Sequence, residues 1–120
     1  LIDFNESHAT NPLWTGHARF HLVWQVNAMI ITALLSIALL WFFYSITNHL
    51  IVILLNYLWI FSFYATVFGL KLFDGELNDI NGVPPVFIKI LGREYEIDRN
   101  IQAITGSFFV SSYATVLFFI

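Results

Sequence analysis

The chain has 120 residues, of which 58% are hydrophobic and only 11% are charged, and eight Asp and Glu outnumber five Lys and Arg. An ordinary soluble domain is about 45–50% apolar and about 25% charged, so a water-soluble globule is excluded first. Because so few residues are basic, the chain has no basic face for a phosphate backbone, and nucleic acid is not an expected partner. The sequence contains no cysteine, which excludes disulfides, iron–sulfur clusters and Cys-ligated zinc.

Three long stretches whose interiors carry no charge predict three transmembrane helices. A spanning helix needs about 20 consecutive apolar residues, and the predicted spans are residues 17–46, 49–71 and 99–120. Residues 1–16 and 72–98 are predicted to lie outside the membrane, and Thr47, Asn48 and His49 are predicted to form the turn between the first two spans. The expected fold class is therefore an all-α polytopic transmembrane helix bundle that forms a single domain over residues 1–120.

Local signals mark where the first and third helices begin. Asn11-Pro12 or Thr15 can open the first helix, since Asn and Thr accept hydrogen bonds from free backbone N–H groups and Pro suits the first helical position. Asp98 is the predicted N-cap of the third helix. Between the second and third spans, residues 86–90 and 93–97 flank Leu91-Gly92, which predicts a small extramembrane β-hairpin.

Three spans place residues 1–16 and 72–98 on the same side of the membrane, called bank A here. All five Lys and Arg lie in these segments or within three residues of the bank A ends of the spans, and the positive-inside rule alone makes that side cytoplasmic. The opposite side offers only a three-residue turn for a charge, and basic residues before Leu1 could reverse the result. The orientation therefore stays open.

A histidine cluster at the start of the first helix is the main candidate for chemistry. His17 and His21 are four residues apart, so both imidazoles can face one ion. His8 and a carboxylate from bank A can complete a metal site. The spacing equals that of H-E-x-x-H zinc proteases, but Ala18 replaces the general-base Glu, so proteolysis is not expected. Three alternatives stay open: a metal ion or haem near His17 and His21, acid–base catalysis, and histidines that only orient the start of the helix.

Two rows of small or polar residues predict helix-packing faces. The row in the first helix is Gln25, Ala28, Thr32 and Ser36, and the row in the third is Ala103, Ser107, Ser111 and Thr115. Small residues four apart let two helix backbones approach closely within a bilayer. Asn27 and Asn56 are polar groups at membrane depth and need partners, and with Gln25 they support a further hypothesis, a bundle that binds a lipophile or quinone.

The N-terminal stretch resembles a family of small uncharacterised bacterial four-helix integral membrane proteins. The pattern of that family is D-x-N-x-[ST]-H, a short gap and N-P-x-W-x-x-H-A-R-F-H, and this chain reads DFNESH at residues 3–8 and NPLWTGHARFH at residues 11–21. The resemblance implies that the motif marks a site, that the protein lies in the bacterial inner membrane, and that a further helix precedes the motif. Only Leu1 and Ile2 precede Asp3 here, so that helix is expected upstream of Leu1. The resemblance implies no activity.

Two functions follow as hypotheses. The first is a non-catalytic accessory or structural subunit of a larger bacterial membrane complex. The packing rows, the 18% aromatic content and the small size all suit association in the lipid bilayer. The expected partners are other transmembrane subunits or further copies of the chain. The alternative is a metal- or haem-binding membrane enzyme or carrier that uses His8, His17 and His21. In that case Arg19 would bind an anionic group and Trp14 would close the site.

Overall fold

The computed structural model describes residues 4–77 and 84–120. Within them the chain forms α1 (Gly16–Trp41), α2 (Ile46–Gly69), a short 3-10 helix (Leu70–Leu72), strands β1 (Val86–Ile90) and β2 (Arg93–Ile97), and α3 (Arg99–Phe119). By length and composition, all three α-helices, with the second taken to Leu72, can cross a membrane. The predicted fold class, an all-α membrane protein with three spans and a small hairpin, is confirmed.

Helix α1 begins where a threonine caps it. The Thr15 hydroxyl accepts a hydrogen bond from the backbone N–H of Ala18 at 3.2 Å, which satisfies one of the N–H groups that have no partner in the first turn of a helix. Of the two predicted starting points, the structure therefore uses Thr15.

The turn between α1 and α2 comes earlier than the sequence suggested. Helix α1 ends at Trp41 and α2 begins at Ile46, so Thr47, Asn48 and His49 lie in the first turn of α2 and do not form the loop. The cause is another hydroxyl cap, because the Ser45 side chain accepts from the Asn48 backbone N–H at 3.0 Å. The Asn48 side chain in turn donates to the carbonyl of Phe43.

Strands β1 and β2 form the predicted antiparallel hairpin. Val86 is paired with Ile97 at its open end and Ile90 with Arg93 beside the turn. Leu91 and Gly92 both have positive φ, 51° and 77°, which is the backbone of the mirror-image two-residue turns that match strand twist. The prediction of a hairpin with a turn at Leu91-Gly92 is confirmed.

Asp98 joins the hairpin to α3. Its carboxylate accepts from the backbone N–H groups of Asn100 at 2.8 Å and Ile101 at 3.0 Å, so it is the predicted N-cap. The side chain of Arg99 donates to the carbonyl of Pro84 at 3.1 Å. The beginning of α3 is therefore fixed both to its own cap and to the segment that leads into the hairpin.

The chain divides into two compact units. One contains α1 and the beginning of α2 as far as Val52, and the other contains the rest of α2, the hairpin and α3. In the described parts of both units, the buried hydrophobic side chains are Val26, Val52 and Ile60. All other apolar side chains on the helices are at least partly exposed, which is expected of helices surrounded by lipid or by another protein.

Candidate functional site

The loop before α1 is held together by side chains of the N-terminal motif. The side-chain oxygen of Asn5 accepts from the backbone N–H of Ser7 at 3.0 Å and from the Ser7 hydroxyl at 2.6 Å. The same hydroxyl lies 2.7 Å from Nδ1 of His8. Because the hydroxyl has one proton and gives it to Asn5, Nδ1 of His8 must donate to it. The Nε2 atom of a neutral His8 is then an acceptor.

Asn11 is the centre of this loop and is fully buried, with 0% of its surface exposed. Its amide nitrogen donates to the carbonyl of Ser7 and its amide oxygen accepts from the backbone N–H of Leu13, each at 3.0 Å. Its backbone accepts from the Trp14 N–H at 3.2 Å, and the Trp14 ring meets His8 edge-on with centroids 5.6 Å apart. The Asn, Ser, His and Trp residues of the motif therefore have a structural role in this loop.

His17 and His21 meet on the first turns of α1. Their Nε2 atoms are 3.0 Å apart, and the two rings are nearly perpendicular, at 87°. Both side chains are exposed. A hydrogen bond at this distance needs a proton on one Nε2 and a lone pair on the other.

Aromatic rings surround the histidine pair. Phe20 stacks on His17 with an interplanar angle of 14°, and Trp24 contacts His21 with ring centroids 5.9 Å apart. Phe20 and Trp24, with Val23 and Asn27, line an open groove of about 300 Å³. The pair therefore lies beside a mainly apolar groove, to which Asn27 adds a polar group.

The structure brings two of the three predicted histidine ligands together. Throughout residues 4–77 and 84–120, no group of three or more His, Cys, Asp or Glu side chains is placed to hold a metal ion. His8 contacts Ser7 and Trp14 instead of completing a cluster with His17 and His21. Asp3, one of the bank A carboxylates that could complete such a site, lies outside the described residues.

Two hydroxyls in the predicted packing row of α1 are satisfied within the helix itself. The Thr32 hydroxyl donates to the carbonyl of Ala28 and the Ser36 hydroxyl donates to the carbonyl of Thr32, each at 2.8 Å. Both side chains are half-buried, whereas Gln25 is exposed. Thr32 and Ser36 can therefore face an apolar neighbour at little cost, because no hydroxyl proton is left without an acceptor.

The packing row predicted for α3 divides between two faces. The half-buried residues of this helix recur at steps of three and four, and they are Ile101, Ile104, Thr105, Phe108, Ser111, Ser112, Thr115 and Phe118. Ser111 and Thr115 belong to this inner face, while Ala103 and Ser107 are exposed. The reason is geometric, since a row of residues four apart turns gradually around a helix with 3.6 residues per turn.

Two tyrosines of α2, which the sequence reasoning missed, contact the inner face of α3. The Tyr57 hydroxyl donates to the Ser112 hydroxyl at 3.2 Å, and the Tyr64 hydroxyl lies 2.8 Å from that of Thr105. The available signal was the spacing of seven residues, or two helical turns, between the tyrosines. Asn56, which the sequence singled out, is exposed.

No family model, curated protein or solved structure matches the chain. Its function therefore has to be inferred from its own side chains.

Proposed function

We propose that this chain is a non-catalytic accessory subunit that packs through its helices against other transmembrane helices of a larger bacterial membrane complex. The observation that carries the proposal is the outer face of α3. It contains a row of exposed residues that are mostly small, Ala103, Gly106, Ser107, Val110 and Ala114, next to larger exposed side chains such as Tyr113 and Leu117.

The row of small residues presents little bulk and little polarity. A Cβ atom added at Gly106 would meet nothing within 4 Å, and the Ser107 hydroxyl already donates to the carbonyl of Ala103 at 2.9 Å. Glycine inside a helix costs about 0.5–1 kcal/mol relative to alanine. That cost is offset where a second helix backbone packs closely against the glycine, which is how small-residue faces drive association in membranes.

The distribution of charge supports a structural role within the membrane. The three spans carry no Asp, Glu, Lys or Arg between residues 20–46, 50–70 and 100–120. Intramembrane charges usually mark ion or proton pathways. Their absence from the sequence of these segments favours helix association over ion transport as the role of the spans.

The proposal is tested by capture of a neighbour at the outer face. Because the chain has no cysteine, a Ser107→Cys variant takes a benzophenone label at one position, and Val116→Cys, which is exposed elsewhere on α3, is the matched control. In native membranes we expect the label at position 107 to capture a protein several times more efficiently than the label at position 116. Capture of lipid alone at both positions, with only monomer in mild detergent, would contradict the proposal.

A second candidate function is a metal-binding membrane enzyme or carrier. The distance of 3.0 Å between the Nε2 atoms of His17 and His21 favours it, because imidazole is the commonest protein ligand of transition metals. A metal held by two protein ligands keeps positions open for exchange or for a substrate. His17→Ala and His21→Ala separate the two candidates, since they should abolish a metal-dependent role and leave subunit assembly intact.

A further inference from the structure

We infer that His17 and His21 form a binding site for a divalent late first-row transition ion, of the Ni²⁺ and Cu²⁺ type, which takes the two Nε2 atoms as adjacent ligands. This inference rests on the second candidate function and specifies its site, its ligand atoms and its class of ion. It excludes His8 from the ligand set.

The separation of the two nitrogen atoms suits adjacent positions on one ion. Metal–imidazole bonds are about 2.0–2.1 Å long, so two ligands at a right angle have nitrogens about 2.9 Å apart, tetrahedral ligands about 3.3 Å and opposite ligands about 4.1 Å. The observed distance is 3.0 Å. This is the distance of the metal-free, hydrogen-bonded pair, and it lies nearest to the right-angle positions of a square-planar or octahedral ion, the geometries typical of Cu²⁺ and Ni²⁺.

The same geometry argues against a haem held by both histidines. Two axial ligands of one iron lie on opposite sides of the macrocycle, whereas His17 and His21 lie on the same face of one helix with ring centroids 4.5 Å apart. No macrocycle fits between rings so close together. Between a haem and a simple ion, the pair therefore fits the ion.

The two nitrogen atoms are available to an ion without any opening of the fold. In the metal-free pair one Nε2 carries a proton that the other accepts. Moving that proton to Nδ1 of the same ring leaves a lone pair on each Nε2 atom, and small rotations of the two rings then direct both at one ion. Both side chains are exposed, so no other part of the described chain covers them.

Neighbouring side chains restrict the rings before the ion binds. The helical backbone at Gly16–Trp41 sets the spacing of the pair, and Thr15 caps the turn that carries His17. Phe20 stacks on His17 and Trp24 lies against His21, which limits rotation of both rings. Preorganised ligands lose less conformational entropy on binding, so affinity rises. The described residues supply no third ligand, and water or an external ligand completes the coordination.

In the experiment, the full chain without a histidine tag is placed in nanodiscs and titrated with Cu²⁺ or Ni²⁺. Calorimetry measures the affinity, and electron paramagnetic resonance of bound Cu²⁺ identifies the nitrogen ligands. We expect one Cu²⁺ per chain, with two equivalent nitrogen couplings. His17→Ala and His21→Ala should each weaken binding at least tenfold and leave one nitrogen coupling. His8→Ala and His49→Ala should leave affinity unchanged.

A register control keeps the number of histidines constant. The double change His21→Ala and Leu22→His moves the second imidazole to five residues after His17, off the shared face, and should bind as weakly as His21→Ala alone. Full affinity in this variant, or an equal loss in His8→Ala, would overturn the inference. If the pair binds Cu²⁺ as expected but His17→Ala leaves the cellular role of the protein unchanged, the site stands and the metal-dependent function falls.

Discussion

The hydroxyl of Tyr64 lies 2.8 Å from the hydroxyl of Thr105 and joins the second half of α2 to α3. Seven residues earlier on α2, Tyr57 makes the corresponding contact with Ser112, which is seven residues later on α3. The two contacts therefore show that this part of α2 runs antiparallel to α3. The two tyrosines are two helical turns apart on α2, and their partners, Thr105 and Ser112, are two turns apart on α3. Phe108 lies between these levels and meets Tyr57 edge-on.

Tyr64→Phe should destabilise the protein by about 0.6 kcal/mol, and by no more than about 1.7, the range measured for interhelical hydrogen bonds in membranes. The change removes one oxygen and leaves the ring in place. Reversible unfolding in bicelles measures the free energy. Tyr113→Phe, on an exposed tyrosine of α3, is the control and should change the stability by much less. If the Tyr64→Phe effect persists undiminished when Thr105 is already Val, the two hydroxyls are not coupled.

Asp98→Ala should cost about 1 kcal/mol, because the carboxylate satisfies two backbone N–H groups at the positive end of α3. The loss should be local, so hydrogen exchange at the amides of Asn100 and Ile101 should become faster while amides in the middle of α3 change little. Asp98→Asn keeps an acceptor and should retain most of the protection. Equal exchange rates in wild type and Asp98→Ala would show that the cap contributes nothing.

The parts of this fold that sequence reasoning predicted are those fixed by local chemistry. Thr15 and Asp98 cap helices with their own side chains, and Leu91-Gly92 is bounded by two strand-like runs. The paired rings of His17 and His21 follow from helical periodicity alone. Each of these features depends on residues no more than a few positions apart.

The features that were missed depend on longer-range geometry or on ambiguous signals. The turn at residues 42–45 consists mostly of aromatic residues, which are equally compatible with a longer membrane-spanning helix. Ser45 is the only residue there whose side chain signals the start of α2. The inner face of α3 is set by where Tyr57 and Tyr64 lie on another helix, which a row of small residues does not reveal. His8 was grouped with the other histidines, but the hydrogen bonds of Asn5 and Ser7 decide its position.

Asn11→Ala should loosen the loop before α1. The substitution leaves the carbonyl of Ser7 and the N–H of Leu13 without their partners, and an unsatisfied buried polar group costs about 1–3 kcal/mol. We expect faster hydrogen exchange at the backbone amides of Leu13 and Trp14 and a changed fluorescence of Trp14. Thr10→Ala, at an exposed neighbour, is the control. A loop equally protected in both variants would mean that the buried amide does not hold it.

Leu91→Asn should stabilise the hairpin, although it removes an apolar side chain. Leu91 has φ of 51°, and a left-handed backbone costs an ordinary residue about 1–2 kcal/mol, which Asn tolerates better. Its side chain is 99% exposed, so the substitution sacrifices no packing. The amide protection of β1 and β2, measured by hydrogen exchange, should therefore increase.

Gly92→Ala provides the opposite change at the same turn. Gly92 has φ of 77° and an added Cβ would meet nothing within 4 Å, so any loss of protection comes from the backbone alone and not from a steric clash. The two variants should move strand protection in opposite directions. If Leu91→Asn instead lowers protection only when the protein is in a bilayer, and not in detergent, then the exposed leucine makes a contact with lipid that outweighs the strain at its backbone.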